Sequence, residues 1–243
     1  MLDVWFTREF PDLPPCLSRE ERERSERFLR EVDRRTFVQA HTFKRLLISH
    51  YDSTTAPGDW RFAHSAHGKP SLEPAHRYQF NLSHSGPCLA VALADFPVGV
   101  DIERQRELND GEALAAEVFH PQEREWLAGK GCFYTAFFRL WTVKEAILKA
   151  LGTGFSTPPA SFCCEILSDE SASATVNGSR WHCWSRQGGD FHLSVAAPLE
   201  PHCGVRYFQV HGEPTVSPVS AAETSDPSVS SLLRYSSTAD WCS

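Results

Sequence analysis

The sequence predicts an α+β fold arranged as two similar lobes. Three observations lead there. Helical periodicity is followed by short strand-like runs in each half of the chain, which is α+β order rather than a regular βαβ alternation. The helix-then-strand order begins again after residue 96, which places a boundary there. The chain has 243 residues, 41% hydrophobic and 12% aromatic, enough to bury a sizeable core. The expected divisions are 1–96 for the first lobe, 97–212 for the second and 213–243 for a tail.

In the first lobe, Ser18 followed three residues later by Glu21 is a capping-box pattern and predicts a helix to about residue 30. Asp33 is the next cap. After it Phe37, Ala40, Phe43, Leu47 and Tyr51 recur at helical spacing and predict a longer amphipathic helix. Pro57-Gly58, Gly68-Lys69-Pro70 and Pro74 then break the chain into loop, with one short strand at 60–63. The apolar runs 89–94 and 98–102, separated by Asp95-Phe96-Pro97, are expected to form a β-hairpin.

In the second lobe, Pro121 suits the first turn of a helix over 122–128. The strongest helical pattern runs over 133–151 and stops at Gly152-Thr153-Gly154. Strands are expected at 161–166, 180–185, 191–196 and 204–210, with Gln187-Gly188-Gly189-Asp190 as a hairpin turn. Residues 213–243 hold nine Ser, three Thr and three Pro, a composition expected of a mobile tail.

Net charge is −7, which argues against a nucleic-acid binder. The segment from Arg19 to Arg45 runs the other way, with nine Lys or Arg against six acids. It serves either as a solvated helix face or as a holder for an anion. No apolar run reaches the ~20 residues of a membrane helix, and the first six residues lack the marks of a signal peptide. Eight cysteines at irregular spacing, with no CxxC pair, suit reduced thiols and offer no zinc-ligand spacing. A soluble cytoplasmic protein is expected.

Three constellations carry chemistry. In Val98-Gly99-Val100-Asp101-Ile102-Glu103, a strand would put the apolar residues on one face and both acids on the other. Carboxylates about 7 Å apart along a strand can converge on one hard cation such as Mg²⁺, or simply face water. Gly99 lies on the carboxylate face and is expected to leave room for a bulky ligand. The second is Trp141-Thr142-Val143-Lys144-Glu145-Ala146-Ile147-Leu148-Lys149. At about 100° per residue, Trp141, Glu145 and Leu148 share a narrow arc beside Phe138. A carboxylate in an apolar stripe is costly unless it is paired or binds metal. Lys149, one turn on, can supply an ordinary helix ion pair or share the same site. The third is Asn81-Leu82-Ser83-His84-Ser85-Gly86, read as a turn whose backbone N–H groups and polar side chains suit a phosphate. It is not G-x-S-x-G, so a nucleophile elbow has no support.

The order of these pieces is basic helix, G-K-P, N-L-S-H-S, V-G-V-D-I-E, then W-T-V-K-E-A-I-L-K-A. It resembles the 4′-phosphopantetheinyl transferases, specifically the monomeric two-lobed type, over roughly residues 15–200. The resemblance implies a pseudo-twofold pair of α/β lobes with the active site in the cleft between them. It implies transfer of 4′-phosphopantetheine from coenzyme A to a serine of an apo acyl carrier protein or peptidyl carrier domain, releasing 3′,5′-ADP.

Roles follow residue by residue from the same resemblance. Asp101, Glu103 and Glu145 match the ligands of Mg²⁺, or Mn²⁺, with Asp101 also at the coenzyme A pyrophosphate. Glu145 matches the general base, and Lys149 the group that neutralises the pyrophosphate and protonates the leaving phosphate. His84 and Ser83 match the pyrophosphate contacts, Lys69 and Pro70 of G-K-P the nucleotide contacts, and Arg24 the 3′-phosphate cation. Arg35 and Thr36 are looser matches, expected at a helix N-terminus. Phe119, Trp126 and Phe133 stand either in the core or on a carrier-docking face. Two alternatives stand beside it: another Mg²⁺-dependent phosphotransferase or hydrolase acting on coenzyme A through the same carboxylates, and a carrier-binding or coenzyme A-binding module that has lost its chemistry.

Overall fold

Two five-stranded sheets pack face to face, each with a long helix on its outer side. The computed structural model describes residues 1–198, 204–211 and 235–237. The first half contains β1 (Leu2–Thr7), α1 (Arg19–Ser25), α2 (Glu31–Tyr51), β2 (Arg61–His64), β3 (Pro70–Glu73), β4 (Gln79–Ser85) and β5 (Cys88–Ala94). The second contains β6 (Gly99–Arg104), α3 (Gly111–Val118), α4 (Pro121–Ala128), α5 (Phe133–Leu151), β7 (Cys164–Ser168), β8 (Ser171–Val176), β9 (Ser179–Gly188) and β10 (Phe191–Ala197). β11 (Arg206–Val210) and β12 (Tyr235–Ser237) follow.

The first sheet has the order β12-β11-β1-β5-β4 and the second β6-β10-β9-β8-β7, while β2 and β3 form a separate ribbon. Alternation explains the layers. Leu2, Val4 and Phe6 of β1, with Ala90 and Ala92 of β5, meet Val100 and Ile102 of β6 and Leu193 and Val195 of β10 between the sheets. The opposite face of the first sheet, with Trp5, Leu89 and Val91, takes Phe43 and Leu47 of α2. The outer face of the second takes Val143 and Ile147 of α5. The mixed α+β, two-lobed architecture is therefore as expected.

The lobes repeat one device that no sequence repeat announces. Ser18 caps α1 in a capping box with Glu21, and His120 caps α4 in the same way with Glu123. In each box the glutamate also reaches a buried lysine of the long helix. Lys44 Nζ donates to Glu21 at 3.2 Å, and Lys144 Nζ donates to both oxygens of Glu123 at 2.7 Å. Glu21 further accepts from Arg45 Nε at 2.6 Å. Burial raises its pKa, but His41, Lys44, Ser18 and Arg45 together outweigh that and hold the carboxyl below its ordinary range.

Several expectations need correction. The hairpin expected between 89–94 and 98–102 does not form. β5 pairs with β4 and β1, whereas β6 pairs with β10 in the other sheet. Every residue of β5 is buried, as for a central strand covered on both faces, and Asp95-Phe96-Pro97 carries the chain between sheets. The true hairpin is β4–β5, closed by Gly86-Pro87 with Gly86 at φ +55°. Helix α1 stops at Ser25, short of residue 30, and α2 starts at Glu31 with Arg30, not Asp33, as its cap. β1, β3, β4, β8 and β12 are strands where the sequence pattern predicts none. β11 pairs in parallel with β1 in the first sheet, so the stretch expected in the second lobe through residue 212 returns to the first. Of the tail expected at 213–243, only Tyr235–Ser237 lies within the described residues, and it is a strand paired to β11.

α5 spans Phe133–Leu151 and ends at Gly152 with φ +70°, as its sequence indicates. Among the described residues all six cysteines are unpaired thiols. Among those residues no helix is long and apolar enough to cross a membrane.

Candidate active site

The site starts with β6. Val98, Val100 and Ile102 are fully buried between the sheets, so Asp101 and Glu103 point to the opposite face, toward α5. Gly99 shares that face, but it does not leave room for a ligand as expected. A Cβ built there would lie 2.0 Å from the carbonyl oxygen of Ala146, so the backbone of α5 fills the space. This close crossing brings Lys149 over the strand. Its Nζ donates to Asp101 Oδ1 at 2.6 Å and to Ser83 Oγ at 2.9 Å.

β4 supplies the other wall. It is a strand, not the expected turn, and its alternate residues divide between two sides. Asn81, Ser83 and Ser85 face β6. Ser83 Oγ donates to Asp101 Oδ1 at 2.8 Å, and Ser85 Oγ donates to Glu103 Oε2 at 2.6 Å. Leu82 and His84 face away and line a cavity of 370 Å³ with Arg24, Phe28, Thr36 and Phe37. Ser83 and His84, expected side by side on one ligand, therefore serve opposite faces of one strand. Partial desolvation and the charge of Lys149 hold the His84 imidazole below its ordinary pKa. Arg24 lies over the Phe37 ring at 5.3 Å from its centroid. Arg35 is exposed and 3.9 Å from Asp12. Because α2 begins at Glu31, Arg35 and Thr36 stand past its first turn rather than at its N-terminus.

The electrostatics mark Glu145. Burial, then the negative charges of Asp101 and Glu103, push its pKa up to about 6 against the opposing pull of Lys149, and no hydrogen bond relieves it. Glu103 is raised as well, by burial and by Asp101, although Ser85 works against the shift. Asp101 Oδ2 is buried without any hydrogen-bond partner. Crowded carboxylates with an orphaned buried oxygen are a donor set that suits a hard divalent cation. Among the described residues, however, no three such side chains stand closed around one point. Lys149 and Ser83 engage one oxygen on Asp101, and Ser85 and Arg106 engage one on Glu103.

A cavity of 180 Å³ lies beside these groups, lined by Gly68, Lys69, Pro70, Asn81, Glu145 and Lys149. The Lys69 ammonium bonds to the carbonyl oxygens of Val98 at 3.1 Å and Ala150 at 2.7 Å. It thus ties the G-K-P loop to β6 and to the end of α5, and burial lowers its pKa to about 8. Phe119 is a core residue at 1% exposure, while Trp126 and Phe133 are only partly buried.

The sequence reading missed Asn81 and Ser85 as site residues, and Lys144 as a structural one. The signal for the first pair was the two-residue period of Asn81, Ser83 and Ser85, which belongs to a strand. For Lys144 it was the capping-box Glu123, which buries that lysine.

A family model described as "4'-phosphopantetheinyl transferase superfamily" matches residues 97–196, and one described as "4'-phosphopantetheinyl transferase, N-terminal" matches residues 6–95. The 4'-phosphopantetheinyl transferase HetI of a Nostoc species is 32% identical over 200 residues, covering 71% of this chain and 84% of its own. The 4'-phosphopantetheinyl transferase psf-1 of Bacillus pumilus is 31% identical over 169 residues, covering 68% and 71%. The 4'-phosphopantetheinyl transferase gsp of Aneurinibacillus migulanus is 38% identical over 103 residues, a match spanning 42% of each chain.

Proposed function

The chain belongs to the 4′-phosphopantetheinyl transferase superfamily, and on that premise we propose how its residues divide the reaction. It transfers 4′-phosphopantetheine from coenzyme A to a serine hydroxyl of an apo carrier protein. The P–O bond to the adenosine 3′,5′-bisphosphate breaks, the serine oxygen bonds to the phosphorus of the phosphopantetheine, and 3′,5′-ADP leaves. The acceptors are acyl carrier proteins, peptidyl carrier domains or both. The enzyme works as a cytoplasmic monomer.

The carrying observation is the arrangement around Asp101: one oxygen held by Lys149 and Ser83, the other buried and unpartnered, with Glu145 alongside. Asp101, Glu103 and Glu145 would hold Mg²⁺ or Mn²⁺, which supplies charge neutralisation at a pyrophosphate. Lys149 adds a cation to the same oxygens and is the proton donor to the leaving phosphate. Glu145 is the general base. In the cation-free protein burial and the neighbouring carboxylates raise its pKa to about 6, which favours its taking the serine proton. In the cavity behind β4, Arg24 takes the 3′-phosphate, and His84, on the same wall, contacts the ligand where it passes toward the pyrophosphate. Lys69 and Pro70 line the cleft at the nucleotide side, where Lys69 also braces the lobes.

Intact mass spectrometry of an apo acyl-carrier protein incubated with this protein, coenzyme A and Mg²⁺ tests the assignment. The expected result is a gain of one phosphopantetheine, abolished by EDTA. Coenzyme A consumed without any gain would point to a hydrolase. Coenzyme A bound but neither consumed nor transferred would point to a module without catalysis.

A further inference from the structure

β4 and β6 run side by side at the junction of the two lobes, yet they belong to different sheets. Three side chains of β4 bridge them. Asn81 Oδ1 accepts from the Val100 N–H at 2.9 Å, Ser83 Oγ from the Ile102 N–H at 3.3 Å, and Ser85 Oγ from the Arg104 N–H at 3.2 Å. A serine hydroxyl has a single proton to give. With the β6 N–H groups donating to the serine oxygens, each proton is aimed at a carboxylate, Asp101 from Ser83 and Glu103 from Ser85. The geometry repeats every two residues along both strands.

We infer that Ser85 is a positioning residue for Glu103. Its hydroxyl is oriented by the Arg104 N–H and anchors Oε2, leaving Oε1 to face a cation. Arg106 reaches the same Oε2 at 3.4 Å from a side chain 57% exposed, too loosely to fix the rotamer by itself. Ser83 does for Asp101 what Ser85 does for Glu103, but it also carries Lys149, so Ser85 is the cleaner test. The inference rests on the reading of Asp101 and Glu103 as cation ligands given above. Anchoring groups behind metal ligands cost 10–100-fold in affinity when removed, which sets the expected size of the effect.

The experiment titrates Mn²⁺ into the full-length protein in the presence of coenzyme A and no carrier protein. Protein-bound ion is read by electron paramagnetic resonance. Ser85→Ala is expected to weaken Mn²⁺ binding by about tenfold. Ser85→Thr, which keeps the hydroxyl and suits a strand, is expected to bind as the wild type does. Coenzyme A affinity measured in EDTA, and the thermal melt, should be the same for all three. Equal Mn²⁺ affinity in Ser85→Ala and wild type overturns the inference and leaves the cation reading standing. Equal weakening in both variants also overturns it, because the hydroxyl would then not be the cause. Wild type and Glu103→Gln binding Mn²⁺ alike would remove Glu103 from the cation's ligands, and the inference with it.

Discussion

A methyl group on Gly99 would stand 2.0 Å from the carbonyl oxygen of Ala146 and 2.3 Å from the backbone nitrogen of Ala150. Neither atom belongs to a flexible side chain, so β6 and α5 meet backbone to backbone. The absence of a side chain on the strand therefore sets how close the helix comes. That distance decides whether Lys149 reaches Asp101 and whether Glu145 enters its field.

Gly99→Ala should lift α5 off β6 and separate the two halves of the site. Displacements of about 1 Å in a catalytic constellation cost on the order of 10²-fold in rate. The expected result is a lower melting temperature and a transfer rate at least that much reduced, read by a melt and a mass assay on the same preparation. Transfer at the wild-type rate would mean the crossing has no bearing on the site.

Glu145→Gln should lower transfer by about 10²–10⁴-fold if the residue is the base. It also carries a stability signature with a definite sign. The folded-state pKa of about 6 lies above the ordinary glutamate value of 4.5, so folding favours the protonated acid. That favourable contribution is full below about pH 4.5 and is lost as pH rises through 6. Above pH 6 the ionised carboxylate is a burden that the glutamine lacks. Without divalent ions, the variant should match wild type near pH 4 and exceed it at pH 7.5 by about 1 kcal/mol. Denaturant melts at the two pH values measure this, and an unchanged difference between them would refute the crowding.

A divalent cation should relieve the same repulsion. Adding Mg²⁺ or Mn²⁺ at pH 7.5 is expected to raise the wild-type melting temperature, because a ligand that binds only the folded state stabilises it. EDTA should reverse the rise. Asp101→Asn, which removes the charge beside the orphaned oxygen, should largely abolish it. An equal rise in that variant would place the ion elsewhere.

Much of this was legible because some patterns have only one good structural solution. The stripe on α5 and its glycine stop gave that helix to the residue. Alternation about Asp101 put the valines and isoleucine inward and the acids outward, as found. What stayed hidden depends on partners distant in sequence. Nothing local reveals that 88–94 pairs backward with 79–85 and across to 2–7, so a forward hairpin looked natural. The sequence shows that Gly99 makes space, but only the helix 47 residues further on shows that backbone fills it. The likeness of the lobes resides in paired capping boxes and buried lysines, a relation too sparse to read as a repeat.

The two lysines of the motif on α5 do different things. Lys149 faces the cleft, whereas Lys144 is 1% exposed and bonds Glu123 and the carbonyl oxygen of Phe162. The Glu123 carboxylate also accepts from the backbone N–H groups of His120 and Cys164, both at 2.7 Å. Removing the glutamate therefore strands a buried ammonium together with the N–H groups of His120 and Cys164, and removal of one partner of such a pair costs about 3–5 kcal/mol. Lys144→Met leaves Glu123 with two donors and fills the lysine's path with an apolar chain of similar shape, so its loss should be smaller. In a double-mutant cycle, Glu123→Ala combined with Lys144→Met should be no less stable than Glu123→Ala alone, because the ammonium that made the single change costly is gone. Transfer per folded molecule in Lys144→Met should match wild type. A variant that melts normally but fails to transfer would instead make Lys144 a substrate contact.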